Sequence, residues 1–362
     1  MHREFEQRRR LIGSGLENRG LDAMLVTSPA SVRYLTGFTG SNGAVLVLPG
    51  EAIFFTDPRY AIQSRREVSC RTQVCKGPIL PTVAATAAAT LAGSRVRHLG
   101  FEGAHISYDG FETLRTALPV TSLEPVSGWL EAHRMLKSAS EIELIRRSVE
   151  TNSKAFELAA RRVRCGMREQ DLAAEIDHRM RRLGAEKPSF ETIVAAGERS
   201  ALPHAHPTGA VLEPRQMVLI DMGAFQDGYA SDMTRMLFLG EPSAAVKRLY
   251  RAVLEAQLAA IDAVRPGVAT ARVDRAARNV LKTFKLDRAF VHSTGHGLGL
   301  EIHELPRIGK KDGVPLAAGM AITIEPGVYL EGVGGIRIED TVLVTPTGCE
   351  VLTPTSKELR VV

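Results

Sequence analysis

Cysteine is scarce in this chain, and the four present, at positions 70, 75, 165 and 349, form no CxxC pair and no Cys/His spacing suited to zinc. That excludes a disulfide framework and a zinc finger, and it fits reduced thiols in a cytoplasm. No apolar run reaches the length of a membrane span. The start, Met1-His2-Arg3-Glu4-Phe5, lacks the apolar stretch of a secretion signal. Charge is not concentrated either: the net +5 is spread along the chain, and Arg8-Arg9-Arg10 and Arg161-Arg162 read as solvated helix faces, so no nucleic-acid partner is expected. Several motifs are missing in instructive ways. Gly37-Phe38-Thr39-Gly40-Ser41-Asn42-Gly43 has no Gly-Lys-Ser/Thr ending and leads into a strand, so it is a turn and not a phosphate loop. Gly295, Gly297 and Gly299 lack the strand-before, helix-after context of a dinucleotide fingerprint, and His303-Glu304 is followed by Pro306 and Arg307, which rules out an HExxH zinc helix. Neither Ser293 nor any cysteine has a nucleophile's setting.

What is present has the size and composition of two globular domains, with 44% hydrophobic and 24% charged residues over 362 positions. A helix is predicted over 3–18, ending at Asn18-Arg19-Gly20. Short strands follow at 23–26, 44–48 and 52–56, the last two split by Pro49-Gly50. An alanine-rich helix near 82–92, a strand near 96–101 and a helix near 107–117 complete an α/β domain, 1–130. The second domain, 131–362, opens at Ser138-Ala139-Ser140-Glu141, a capping box for a long helix whose face carries Ile142, Ile145, Val149, Phe156, Ala159 and Val163 and which Gly166 should stop. A second helix spans about 169–183, before Gly184. Val163-Arg164-Cys165-Gly166-Met167 is echoed by Val264-Arg265-Pro266-Gly267-Val268, and Leu212 precedes Asp221 by nine residues as Leu316 precedes Glu325. The second domain is therefore expected to be two copies of a helix–helix–hairpin unit, with any shared site near their pseudo-twofold axis.

Carboxylates sit inside the apolar runs of both hairpins. With a turn centred between Gln226 and Asp227, Asp221 and Asp232 stand directly opposite each other, with Cβ atoms about 5 Å apart. Around Gly332, Glu325 and Glu339 are each seven positions from the centre. Burying four carboxylates without partners is prohibitive, so they must pair with arginines such as Arg235 and Arg337, bind protons, or bind cations. The cation reading also employs His296, in Ser293-Thr294-Gly295-His296-Gly297-Leu298-Gly299, whose glycines would let the chain pass close to the ions. Two divalent ions carry about +4 against four carboxylates, leaving room for a bridging hydroxide. An oxygen shell with one imidazole suits manganese, cobalt or iron better than a structural zinc.

Asp221 in a strand, Asp232 eleven residues on, His296 in Gly-His-Gly-Leu-Gly, Glu325 before Pro-Gly and Glu339 in Gly-Ile-Arg-Ile-Glu-Asp resemble, in that order, the five metal ligands of the pita-bread metallopeptidases. That group comprises methionine aminopeptidase, aminopeptidase P, prolidase and the metal-free creatinase. The N-terminal segments Tyr34 to Gly43 and Thr56-Asp57-Pro58-Arg59-Tyr60 resemble the creatinase-like domain of the proline-specific members, so the resemblance covers nearly the whole chain. It implies a pita-bread α+β catalytic domain and two divalent ions, manganese first with cobalt or zinc as alternatives. Asp232 and Glu339 would bridge the ions, Asp221 would complete one site, and His296 and Glu325 the other. A bridging hydroxide would attack the peptide carbonyl. His204, with His206 as a nearby alternative, and His303 would donate hydrogen bonds to the substrate, while His292, Tyr329 and Arg337 would orient ligands or substrate. Peptides with proline at the second position are the implied substrates, and a homodimer or dimer-based oligomer the implied assembly. Between an Xaa-Pro aminopeptidase and an Xaa-Pro dipeptidase (prolidase), the N-terminal segments point to the aminopeptidase; a non-catalytic scaffold of the same fold is the third reading.

Overall fold

Aliphatic runs punctuated by turn residues become the strands of a mixed sheet in the first part of the chain. The computed structural model describes residues 2–89 and 96–362, and these divide into two units, Met1–His133 and Arg134–Val362, against the expected 1–130 and 131–362. In the first unit the strand order is Arg71–Val74, Glu51–Thr56, Gly43–Leu48, Ala23–Val26, His98–Glu102 and Ser122–Val126. Gly50, at φ +79°, turns the antiparallel pair Gly43–Leu48 and Glu51–Thr56. The remaining neighbours outside Ala23–Leu48 pair in parallel. Leu25, Leu46, Ile53, Phe55, Leu99 and Phe101 form the core beneath Val83, Ala87 and Leu114 of two helices.

The first helix is shorter than expected, His2–Gly15, and the chain closes through a 3-10 turn, Glu17–Arg19, at Gly20. The alanine-rich helix spans Ile79–Ala88; the expected continuation over 90–92 lies outside the described residues. A helix at Pro29–Thr36 was not expected. It starts with proline at its first position and ends where Gly37 adopts φ +78°, so the Gly37 turn is a helix stop. Eight residues are too few for periodicity to announce a helix.

In the second unit the capping box forms: the Ser138 hydroxyl accepts from the Glu141 N–H, and Glu141 accepts from the Ser138 N–H. The helix runs Ala139–Ala160 and does not continue to Gly166. Val163 is buried beyond its end, an apolar residue on the predicted face that the turn itself inserts into the core. The second helix is Glu169–Arg182. The copy is Ala244–Asp262 and Thr270–Thr283.

The repeat extends to individual hydrogen bonds. Gly166 N–H donates to Leu212 O at 2.9 Å and Gly267 N–H to Leu316 O at 2.8 Å; Leu212 N–H donates to Met167 O and Leu316 N–H to Val268 O. Both glycines have positive φ, +88° and +81°. Each pair of helices covers one sheet. Ile193–Ala196, Met217–Met222 and Met233–Phe238 correspond to Gly295–Gly297, Ala321–Ile324 and Asp340–Val344. The copies meet where Thr341 donates to Asp232 O (3.0 Å) and Glu339 N–H donates to Thr234 O (3.2 Å). An α/β unit followed by an α+β unit with a pseudo-twofold repeat is the architecture the resemblance implies. Among the described residues, no helix is long and apolar enough to cross a membrane.

Candidate functional site

The first hairpin turns on Asp227-Gly228, both with positive φ (+51° and +81°), and Gln226 pairs with Tyr229. This is the two-residue turn that matches strand twist, and Asp-Gly is its usual sequence. The centre therefore lies one residue beyond the expected position. Asp221 pairs with Thr234, and Asp232 falls opposite Gly223. The two aspartates are diagonal neighbours on one face, because moving the turn centre by one residue shifts pairing by two and preserves the face. Gly223 has to be glycine: a Cβ there would lie 2.2 Å from Ser231 O and 2.0 Å from Ser189 Oγ. In the second hairpin Ile324 pairs with Asp340 and Gly327 with Arg337, which brackets Glu325 and Glu339 in the expected register.

The four carboxylates and His296 converge. Asp221, Asp232 and Glu339 are buried, and His296 Nε2 lies 3.4 Å from Glu325 Oε1 and 3.6 Å from Asp232 Oδ2. One ligand atom from each of Asp232, His296 and Glu339 falls within a 4.8 Å cluster. His296 Nδ1 lies 3.0 Å from Gly297 O; donation there leaves the Nε2 lone pair facing the carboxylates, the orientation of a metal-binding imidazole. Asp221 Oδ1, Asp232 Oδ1 and Glu339 Oε1 are buried without any hydrogen-bond partner among the described residues. Three orphaned anionic oxygens beside a nitrogen lone pair repel one another unless a cation or protons stand between them. The donor set thus fits divalent ions.

The protonation behaviour follows from the same crowding. Burial, then the charges of Glu339, Asp221 and Glu325, push the Asp232 carboxyl up. Glu339 is raised by burial and by Glu325 and Asp221. Glu325 keeps 17% of its side chain in contact with solvent, yet burial pushes it up to about 7 against the opposing pull of Arg337. The metal-free folded chain therefore holds protons here that the unfolded chain releases at lower pH, so its stability from this group falls as pH rises towards 7. A divalent ion must displace those protons. Manganese affinity, followed by equilibrium dialysis between pH 5.5 and 8.5, should fall as pH is lowered, by about tenfold per pH unit for each proton displaced. A pH-independent affinity would contradict this electrostatic account.

Arg337 organises the far side. Its guanidinium, 3% exposed, donates to Asp221 Oδ2 (2.5 Å), Thr234 Oγ1 (3.1 Å), Tyr329 Oη (2.6 Å) and Pro203 O (3.2 Å). Arginine has only donors, so the Tyr329 proton is directed to His292 Nε2, 2.8 Å away, and His292 Nδ1–H donates to Ser293 O at 2.8 Å. That polarity needs a neutral imidazole, and burial followed by the Arg337 charge holds His292 down at about 4. Burial pushes the Tyr329 phenol up to about 12. Arg235, the other arginine offered as a partner, goes elsewhere: it pairs with Asp340 at 2.6 Å and donates to Glu339 O.

His303 is exposed, with its ring centroid 4.5 Å from that of His296, edge to face. Burial, then the charges of His296 and His204, lower its pKa. His204 is exposed and close enough to depress both His292 and His303. Its alternative, His206, is exposed and paired with Glu191 at 3.1 Å. The glycines do a different job from the one expected. A Cβ at Gly295 would lie 1.9 Å from Thr323 O and one at Gly297 2.1 Å from Leu305 O, so they admit neighbouring strands, not ions.

Sequence reasoning missed the hydroxyls. Thr234 Oγ1 donates to Glu339 Oε2 at 2.7 Å, and Thr323 Oγ1 reaches Glu325 Oε1 at 3.3 Å while accepting from His296 N–H. Each stands two residues from a carboxylate along a strand, on the same face, and that spacing was the available signal. Also missed was the clamp on the loop bearing His303: Arg134 donates to Glu301 (2.6 Å) and Glu304 (2.5 Å), and Lys137 to Glu304 (3.1 Å).

Residues 143–346 match the family model for metallopeptidase family M24, and residues 8–136 match the creatinase/prolidase N-terminal domain. The Xaa-Pro dipeptidase of Pyrococcus furiosus is 36% identical, over 95% of this chain and 97% of its own length. Among solved structures, an Xaa-Pro dipeptidase from Bacillus anthracis superposes with a TM-score of 0.95 at 36% identity, covering 99% of this chain and 100% of that one. An X-Pro aminopeptidase from Thermotoga maritima gives 0.88 at 35% identity, covering 95% and 98%.

Proposed function

The chain belongs to metallopeptidase family M24, and from that premise we propose that it is an Xaa-Pro dipeptidase whose metal ligands are Asp221, Asp232, His296, Glu325 and Glu339. The observation that carries the reading is the set of three orphaned buried carboxylate oxygens, on Asp221, Asp232 and Glu339, in the site that the Nε2 of His296 faces. Two divalent ions, manganese by the oxygen-rich donor set, supply Lewis acidity and a water acidified enough to act as nucleophile at neutral pH. Arg337 holds Asp221 and, through Thr234, Glu339 in place, and it tethers the Pro203 carbonyl beside His204. His204 and His303 are the donors to the substrate carbonyl as negative charge develops on its oxygen. Neutral imidazoles suffice for that, and the lowered pKa of His303 keeps it so at neutral pH. The four free cysteines among the described residues accord with a cytoplasmic setting; a homodimer is carried over from the resemblance.

The sequence reading placed the aminopeptidase first. Support moves to the dipeptidase because relatives matched over nearly the whole chain, from Pyrococcus furiosus and Bacillus anthracis, carry that activity in their names. The Thermotoga maritima X-Pro aminopeptidase, matched almost as fully, keeps the aminopeptidase as the second reading. Rates on an Xaa-Pro dipeptide and the matching Xaa-Pro-Pro tripeptide separate the two. The manganese-loaded enzyme should show kcat/KM at least about 100-fold higher on the dipeptide, some 2.7 kcal/mol in transition-state binding. Comparable turnover of the tripeptide would establish the aminopeptidase instead.

A further inference from the structure

A second group of metal-ligating side chains lies in the first unit. Strand His98–Glu102 ends in a tight turn in which the N–H groups of His105 and Ile106 both donate to Glu102 O, folding His105 back over Glu102. Glu131, on the helix Trp129–Arg134, faces the same point: His105 Nε2 lies 4.0 Å from Glu131 Oε1. One ligand atom from each of Glu102, His105 and Glu131 falls within a 4.8 Å cluster. Glu102 is 2% exposed. Its Oε2 accepts from Thr27 N–H (2.7 Å) and Ser28 N–H (2.8 Å), whereas its Oε1 is buried and, among the described residues, receives no well-aligned hydrogen bond and no cationic partner.

From this convergence we propose that Glu102, His105 and Glu131 form a separate binding site for one divalent zinc ion. Zinc bonds of about 2.0–2.1 Å in a tetrahedron place ligand atoms about 3.3 Å apart. The ligand atoms must close by roughly an ångström, which the side chains of His105 and Glu131, 30% and 28% exposed, are free to do. The same exposure leaves the fourth position to water. A protonated His105 paired with Glu131 would leave the buried Glu102 carboxylate without a counter-charge of its own; a cation satisfies all three side chains at once. Burial raises the Glu102 carboxyl, against hydrogen bonds from the Ser28 backbone, the Ser31 side chain and the Thr27 backbone and against the influence of His105, as expected for a carboxylate lacking its counter-charge. The site would pin the turn at 103–106 to the helix carrying Glu131.

The test is equilibrium dialysis of the full-length protein against micromolar zinc, with metal counted per chain. The double variant His105→Ala/Glu131→Gln should bind one zinc fewer than wild type while hydrolysing Xaa-Pro substrate at the wild-type rate. The same loss of one should occur in an Asp232→Ala/Glu339→Ala background, which separates this site from the catalytic one. Glu131→Gln alone, which preserves size, should weaken the site by at least tenfold. Equal zinc content with and without the His105 and Glu131 substitutions would overturn the proposal, as would crystals whose zinc anomalous peaks all lie away from these three residues.

Discussion

Alanine at position 232 should leave a folded protein with kcat/KM on Xaa-Pro substrate lowered by at least about four orders of magnitude, a loss of roughly 5.5 kcal/mol in transition-state stabilisation. The reasoning starts from the aspartate's surroundings. Asp232 is buried among Glu339, Asp221 and Glu325, and both burial and those charges oppose its ionisation. Its Oδ1 has no hydrogen-bond partner among the described residues. In the metal-free fold, burial and like charge at that position outweigh the one favourable influence on it, the charge of Arg337. Asp232→Ala should therefore match or exceed the wild type in thermal stability when both are metal-free. Wild type should gain stability on adding manganese, and the variant should not. A structural residue would behave in the opposite way, losing stability without metal. Calorimetry with and without manganese, beside an assay of Xaa-Pro hydrolysis, reads both effects. Full activity in Asp232→Ala would sink the dinuclear reading.

Arg337→Met should be costly in both states. The guanidinium is nearly inaccessible and serves Asp221, Thr234, Tyr329 and Pro203 together. Removing one member of a buried pair leaves the other charge uncompensated, at about 3–5 kcal/mol. The polarity of the Tyr329–His292 chain is lost as well, because the phenol is no longer obliged to donate to His292 Nε2. Metal-loaded activity should fall about 100-fold, since residues that orient ligands typically carry a factor of 10–100 in metal affinity or rate. Arg337→Lys keeps the charge, but an ammonium cannot span four planar-fork partners, so it should recover some stability and little activity. Urea unfolding and kcat/KM for both variants check this. A methionine variant within 1 kcal/mol of wild type would show that Asp221 does not depend on the pair.

Some of the site was legible because it obeys periods of the chain. Glu325 and Glu339 fell in the right register because the loop around Gly332 is symmetric about its centre and the pairing register is kept across the breaks at 325–326 and 338–339, where the strands pass from one sheet to another. The first hairpin was misjudged by one residue because the turn was centred on sequence distance and not on Asp227-Gly228, where two consecutive positive φ values determine the pairing. The error did no harm to the site, since a two-residue shift in pairing keeps both aspartates on one face. Val163 shows a different limit: an apolar residue in phase with a helix can be buried by the turn that follows it.

The sequence alone determined the repeat, the carboxylate-bearing hairpins and His296 as their nitrogen partner, because apolar periodicity cannot otherwise accommodate four charges. Only the tertiary structure decided which arginine serves the site. Arg235 lies three residues after Asp232 and Arg337 two before Glu339, yet Arg235 turns to Asp340 and Arg337 to Asp221. It also gave His206 a partner in Glu191, which the sequence did not announce. The glycines of the His296 segment admit neighbouring backbone, a role that exists only once strands from distant parts of the chain lie side by side. Local sequence records face and spacing. The partner across a gap is chosen by packing, which depends on the pseudo-twofold meeting of the two halves.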